Sequence, residues 1–95
     1  MIKTKAHIKL FESGRKTPFE SGYRPLFSFT EKMKTSGSIT LIEKDEFHPG
    51  DEGEVEIVFI SKKYLGASFG KGSKFLFSEG GPPLGEGEII QVENI

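Results

Sequence analysis

Apolar and polar side chains alternate along several short stretches of the chain. Between Gly53 and Ile60, Val55, Ile57 and Phe59 alternate with glutamates or a valine, and this period of two is typical of a strand with one buried face. Five other stretches show the same pattern less clearly. The six predicted strands are Lys3–Phe11, Leu26–Phe29, Ser38–Ile42, Gly53–Ile60, Lys74–Ser78 and Gly87–Val92.

Turn residues separate these strands. Pro18 and Pro25 indicate a long irregular loop over Arg15–Arg24, because proline cannot donate a ladder hydrogen bond. In Phe47–Asp51, a Pro-Gly pair occupies the central positions of a type II turn. Twelve glycines and five prolines favour an all-β fold. We expect one domain over residues 1–95, closed as a six-stranded antiparallel β-barrel that leaves no strand edge exposed.

Composition narrows the functional classes. Nine phenylalanines supply large apolar areas for a small core. The chain has no cysteine, which excludes disulfides and thiolate metal sites, and it shows no secretory leader and no long apolar run. A cytoplasmic protein that does not enter a membrane is therefore expected.

Charge is distributed unevenly along the chain. Net charge is −1, but the first 35 residues hold eight Lys and Arg against three Glu, whereas the remaining residues hold five Lys against eleven Asp and Glu. This asymmetry predicts a basic patch in the first third, unless the barrel brings the basic and acidic segments side by side.

Catalytic and cofactor chemistry is not indicated. Gly66–Ser73 is only superficially similar to a phosphate-binding loop, because the first glycine is displaced, Lys71 is followed by glycine, and no helix pattern follows. His7 and His48 lack the spacing of a metal site. We expect no enzyme, no bound nucleotide, no metal and no cofactor.

The loop Gly14–Pro25 is the richest candidate for recognition. It combines three cations, Arg15, Lys16 and Arg24, with two aromatic side chains in a proline-stiffened segment. Such a loop can bind phosphates and sugar edges of a nucleic acid. The alternative is that the aromatic side chains close the barrel while the cations are solvated.

The same segment resembles a known family. Its pattern G-R-x-T-P-F-x-x-G-Y-R-P is similar to the start of the third, C-terminal domain of bacterial translation elongation factor Tu. Ser36–Leu41 resembles that domain's T-G-x-I-x-L, and His48–Asp51 its M-P-G-D turn. Gly72–Phe77 and Glu79–Gly87 resemble its glycine-rich ending. The resemblance covers nearly the whole chain in order and implies the six-stranded antiparallel barrel of that domain.

In that family the domain packs on the GTPase domain, touches the T-stem backbone of aminoacyl-tRNA and meets the nucleotide-exchange factor. The resemblance places Arg15 and Lys16 at the family's Arg-His pair near tRNA and Ser36 at its threonine. It places Lys62 or Lys63 at the family's lysine and Gly80 at its first glycine. No GTPase domain is expected in this chain, so GTP-driven tRNA delivery by this polypeptide alone is excluded.

Three positions depart from the family pattern. Leu26 replaces the glutamine near the contact with the GTPase, Pro82 and Pro83 replace an arginine and a threonine, and Lys62–Gly72 holds two or three extra residues. Partner surfaces are therefore expected to differ from those of the family.

Three functional hypotheses follow. The first is a translation-related module that binds RNA backbone, in tRNA or the ribosome; its site would comprise Arg15, Lys16, Arg24, Ser36, Lys62, Lys63 and Gly80. The second is a module that binds another translation protein, without RNA, through an apolar patch comprising Leu26, Leu76, Pro82 and Pro83. The third is a duplicated domain that has lost its binding role.

Overall fold

Six strands account for the regular structure of residues 1–94, the part of the chain that the computed structural model describes. They are β1 (Ile2–Leu10), β2 (Leu26–Ser28), β3 (Lys34–Leu41), β4 (Glu52–Phe59), β5 (Lys74–Ser78) and β6 (Gly85–Asn94). Each lies where the alternation predicted a strand. β3 begins four residues before the predicted Ser38, because its first inward positions are the small residues Thr35 and Gly37, which give no hydrophobic signal.

All neighbouring strands are antiparallel and close into one barrel in the order β1-β4-β3-β2-β5-β6. The predicted fold class, a six-stranded antiparallel β-barrel, is confirmed. The loops between β1 and β2, β3 and β4, and β5 and β6 form what we call the upper end. The loops between β2 and β3 and between β4 and β5 form the lower end. No helix among the described residues has the length and apolarity needed to cross a membrane.

Phenylalanine rings fill much of the barrel. Phe27 is fully buried and meets Phe59 edge-on, with ring centroids 5.1 Å apart. At the upper end, Phe19 stacks between Tyr23 and Phe47, at centroid distances of 4.4 and 5.3 Å. Aromatic pairs in these geometries add to the stabilisation from buried area alone. Phe19 and Tyr23 therefore help to close the barrel, as the alternative interpretation of the loop Gly14–Pro25 predicted.

Two glycines of β6 make room for the rings of Phe75 and Phe77 on β5. Gly85 is paired with Phe77, and Gly87 with Phe75, across β5 and β6. A Cβ atom on Gly87 would fall on the Phe75 ring and lie 2.8 Å from Ile8 Cγ2. The sequence Gly-Glu-Gly thus serves packing, since rings from the neighbouring strand occupy the space in front of Gly85 and Gly87.

The turn before β4 is the predicted type II turn. The Asp51 N–H donates to the His48 carbonyl at 2.9 Å, and Gly50 has a φ of 93°, as the third position of this turn requires. The His48 N–H donates to Asp51 Oδ2 at 2.9 Å. This hydrogen bond, helped by the nearby Lys44 ammonium, lowers the pKa of Asp51 below its ordinary value.

Candidate interaction surfaces

Arg15 is held inside the upper end by its own chain. Its guanidinium forms an ion pair with Glu79 and donates to the carbonyls of Thr17, at 2.8 Å, and Pro18, at 3.4 Å. It also lies 4.9 Å from the centroid of the Tyr23 ring. Most of the donors that would bind a phosphate are therefore already engaged.

The hydroxyl of Tyr23 donates to the same Oε2 atom of Glu79, at 2.6 Å. We call this set of Arg15, Tyr23 and Glu79 the latch, because it joins the loop after β1 to the loop after β5. Burial is the main reason why the pKa of Tyr23 is raised, and the hydrogen bond and negative charge of Glu79 raise it further. Glu79 was not among the residues that the sequence singled out for function.

Lys16 and Arg24 are exposed near the latch. Lys16 follows Arg15 directly, and Arg24 follows Tyr23. Gly80 follows Glu79, so the latch brings Gly80 to the same end of the barrel as these cations. Part of the predicted RNA-binding set is thus assembled at the upper end.

Lys62 and Lys63 lie elsewhere. Both are exposed in the loop between β4 and β5, which belongs to the lower end. Lys62 borders a cavity of about 530 Å³ together with Ile2 and Leu65, and Lys63 Nζ is 5.5 Å from the centroid of the Tyr64 ring. The structure does not bring these two lysines together with Arg15, Lys16 and Gly80.

Ser36 lies on the barrel wall between the two ends. It is paired with Leu26 across β3 and β2, and Leu26 is paired with Ser78 across β2 and β5. Ser36 therefore adjoins the predicted apolar patch. It is also near the lower end, because Gly37 is opposite Phe59, three residues before Lys62.

Two of the predicted partner-binding residues, Leu26 and Leu76, lie on the outer face of the neighbouring strands β2 and β5, and Leu26 is partly buried. Leu26 is opposite Ser78, and Leu76, two residues earlier on β5, also faces outward and is 42 % exposed. Pro82 and Pro83 are exposed in the loop that begins directly after Ser78. We call Leu26, Leu76, Pro82 and Pro83 the leucine–proline surface.

The cations of β1 are surrounded by carboxylates. Its outward residues face glutamates of β4 on one side and of β6 on the other: the register pairs Lys5 with Glu56, His7 with Glu54 and Glu88, and Lys9 with Glu52 and Glu86. Lys3 Nζ lies 3.6 Å from Glu56 Oε2. The barrel thus brings the basic first strand between two acidic strands, which is the arrangement that cancels the predicted basic patch there.

A groove of about 850 Å³ runs over the outside of the barrel next to the leucine–proline surface. Phe29 and Leu76 supply its apolar part, and Glu86, Glu88 and Lys9 are among its charged residues. Except for Leu76, its residues were not singled out from the sequence, because only the strand order places them side by side.

No protein-family model matches the chain. The relation to elongation factor Tu therefore stays a prediction from the sequence motifs. Within residues 1–94, no three His, Asp or Glu side chains are grouped so that they could hold a metal ion.

Proposed function

We propose that this chain is a non-enzymatic interaction module of the cytoplasmic translation machinery, similar to the third domain of elongation factor Tu. It binds another translation protein through the leucine–proline surface. The observation that carries the proposal is the continuity of that surface, in which Leu26 and Leu76 share the outer face of β2 and β5 and the loop with the two prolines adjoins it.

The chemistry of this surface suits a protein partner. Apolar and proline side chains offer little to a phosphate backbone, whereas exposed apolar groups gain stabilisation when a partner covers them. The family resemblance implies a GTPase domain at the position of Leu26, where this chain has an apolar side chain in place of the family's glutamine. We therefore propose a translation GTPase of the elongation factor Tu type as the partner.

RNA binding is the second candidate function, and it rests on Lys16 and Arg24. These two cations are exposed beside the latch, near Gly80. The candidate is weaker because Arg15 is engaged internally and because Lys62 and Lys63 lie at the lower end. A few cations on a chain of net charge −1 would bind RNA weakly and with steep salt dependence.

An NMR titration tests the proposal. The ¹⁵N-labelled barrel is titrated with purified elongation factor Tu from which the third domain has been removed. We expect shift changes on β2, β5 and the loop after β5. Replacing both leucines, by Leu26→Gln and Leu76→Ser, should weaken binding about tenfold or more, as for truncation of central apolar contacts.

Ile42→Ser provides the matched control, because Ile42 is a 46 % exposed aliphatic residue directly after β3, six residues beyond Ser36, the partner of Leu26. It should leave binding unchanged. A parallel titration with tRNA at low salt tests the second candidate through Lys16→Ala and Arg24→Ala. Shift changes with tRNA that these variants abolish, together with no response to the GTPase, would overturn the proposal in favour of RNA binding.

A further inference from the structure

The groove beside Leu76 crosses five neighbouring strands. Its lining comes from β4, β1, β6, β5 and β2, which are consecutive around the barrel. Neighbouring strands lie about 4.8 Å apart, and an extended peptide advances about 3.3 Å per residue. Three residues of an extended peptide therefore cross about two strand spacings.

One end of the groove is apolar. Leu76, on the outer face of β5, lines the groove, and Phe29, which follows β2, borders it while its ring packs against core phenylalanines. Leu76 is 42 % exposed, so a large part of its apolar surface is available for a ligand side chain. An aliphatic or aromatic residue of a ligand is the group that fits here.

The other end is acidic. Glu52, Glu86 and Glu88 lie at this end, and with Glu31, which follows Phe29 by two residues, the groove has four glutamates against two lysines and one histidine. Both lysines already face carboxylates: Lys9 is paired with Glu52 and Glu86, and Lys74 with Glu88. The surplus of negative charge attracts a cation and disfavours an anion.

The register sets the separation of the two ends. Leu76 is directly opposite Glu86, and Glu86 is directly opposite Lys9 on the next strand. Glu86 therefore lies about one strand spacing from Leu76, about 5 Å, and Glu88, two residues along β6, lies about 8 Å from it. In an extended peptide, side chains on the same face are about 7 Å apart at positions i and i+2.

We propose that this groove binds an extended peptide segment in which an apolar residue and a Lys or Arg are separated by one residue. The apolar side chain lies against Phe29 and Leu76, and the cation lies between Glu86 and Glu88. The inference deepens the proposed function, on which it rests, by naming the chemistry of the partner segment.

Fluorescence anisotropy with labelled hexapeptides tests the groove directly. The peptides share one composition, with one Leu and one Arg among Gly and Ser, and differ only in the separation of Leu and Arg. Separations of two should bind more tightly than separations of one or three, because only an even separation puts both side chains on the groove face. A peptide with Glu in place of Arg should bind more weakly than all of these.

Three variants in the groove and two controls outside it locate the binding site. Glu86→Gln and Glu88→Gln should each weaken the best peptide about threefold, the range for a partly exposed ion pair. Glu54→Gln, an outward glutamate of β4 outside the groove, should have no effect. Leu76→Ser should weaken binding and Ile60→Ser should not.

Equal affinity for all separations, or an equal loss with Glu54→Gln, would overturn the inference. Its failure is distinguishable from failure of the proposed function. If the GTPase binds and no peptide does, the module function stands and the peptide groove is wrong. If peptides bind with the expected spacing and the GTPase does not, the groove stands and the proposed partner is wrong.

Discussion

Glu79 holds together two loops that are far apart in the sequence, because its Oε2 atom accepts hydrogen bonds from both Arg15 and Tyr23. These bonds are partly exposed, and Glu79 retains 47 % of its side-chain exposure. Solvent screening limits how much such an ion pair stabilises the folded state. The latch therefore has a modest energetic role, and it connects Arg15 and Tyr23 of one loop to Glu79 of the other.

Replacing Glu79 by Gln tests the latch. We expect a loss of about 1 kcal/mol in the free energy of unfolding, from a weakened ion pair and hydrogen bond. Tyr23 should also ionise at lower pH than in the parent, because the carboxylate that raises its pKa has gone. Ultraviolet absorbance in a Tyr64→Phe background isolates the tyrosinate signal of Tyr23.

The sign of the pH dependence follows from the raised pKa. The unfolded chain releases the Tyr23 proton near the ordinary value of 10.0, whereas the folded barrel keeps it to higher pH. The contribution of Tyr23 to stability is thus complete below pH 10 and is lost as pH rises above it.

Glu43→Gln, which removes a carboxylate in the loop between β3 and β4, is the control for Glu79→Gln. An unchanged titration of Tyr23 in Glu79→Gln would contradict the latch.

β5 and β6 fit together because glycines on one strand face rings on the other. Gly87 is tightly enclosed, since an added Cβ would meet the Phe75 ring and lie 2.9 Å from the carbonyl oxygen of His7. The backbone of β1 cannot move away without loss of the β1–β6 ladder. Packing between the strands therefore requires glycine at this position. The local backbone conformation does not require it.

We expect Gly87→Ala to lower the free energy of unfolding by about 2 kcal/mol, within the range for overpacked cores. Gly81→Ala is the matched control: nothing lies within 4 Å of its added Cβ, and it should be close to neutral. Urea denaturation measures both. Adding Phe75→Leu to Gly87→Ala should recover part of the loss, and two equal effects at Gly87 and Gly81 would contradict the packing argument.

The whole barrel places the basic first strand between acidic β4 and β6. Cross-strand pairs of opposite charge each contribute roughly 0.2–1 kcal/mol, less where they are exposed. Folding thereby places the basic residues of the first part of the chain next to acidic residues from its later part. The exposed cations that are left for a nucleic acid are mostly in loops, divided between the two ends.

Lys3→Gln combined with Lys5→Gln tests this arrangement. Both lysines face Glu56, so we expect a loss of about 1 kcal/mol at low salt. High salt should reduce the loss, because it screens the repulsion among the remaining glutamates. Lys32→Gln with Lys71→Gln makes the same charge change in loops and should cost less. An identical loss in both double variants, at either salt concentration, would refute the role of the strand order.

Most of the fold was predictable from local features. The alternation in Gly53–Ile60 predicted β4 within one residue at each end, since one buried face imposes a period of two. The start of β6 was missed by two residues because Gly85, like Gly87, carries no apolar side chain. The structure brings together only part of the predicted RNA-binding set. A family motif identifies the cations but gives no information on the side chains of the same chain with which they pair.

The sequence by itself determined the number and approximate position of the strands, the Pro49–Gly50 turn and the common face of Phe75 and Phe77. These depend on side-chain period and backbone preference within a few residues. Only the tertiary structure decided that Arg15 meets Glu79, 64 residues away, and that β1 lies between two acidic strands. Such contacts depend on which strands become neighbours when the barrel closes, and no short stretch of sequence contains that information.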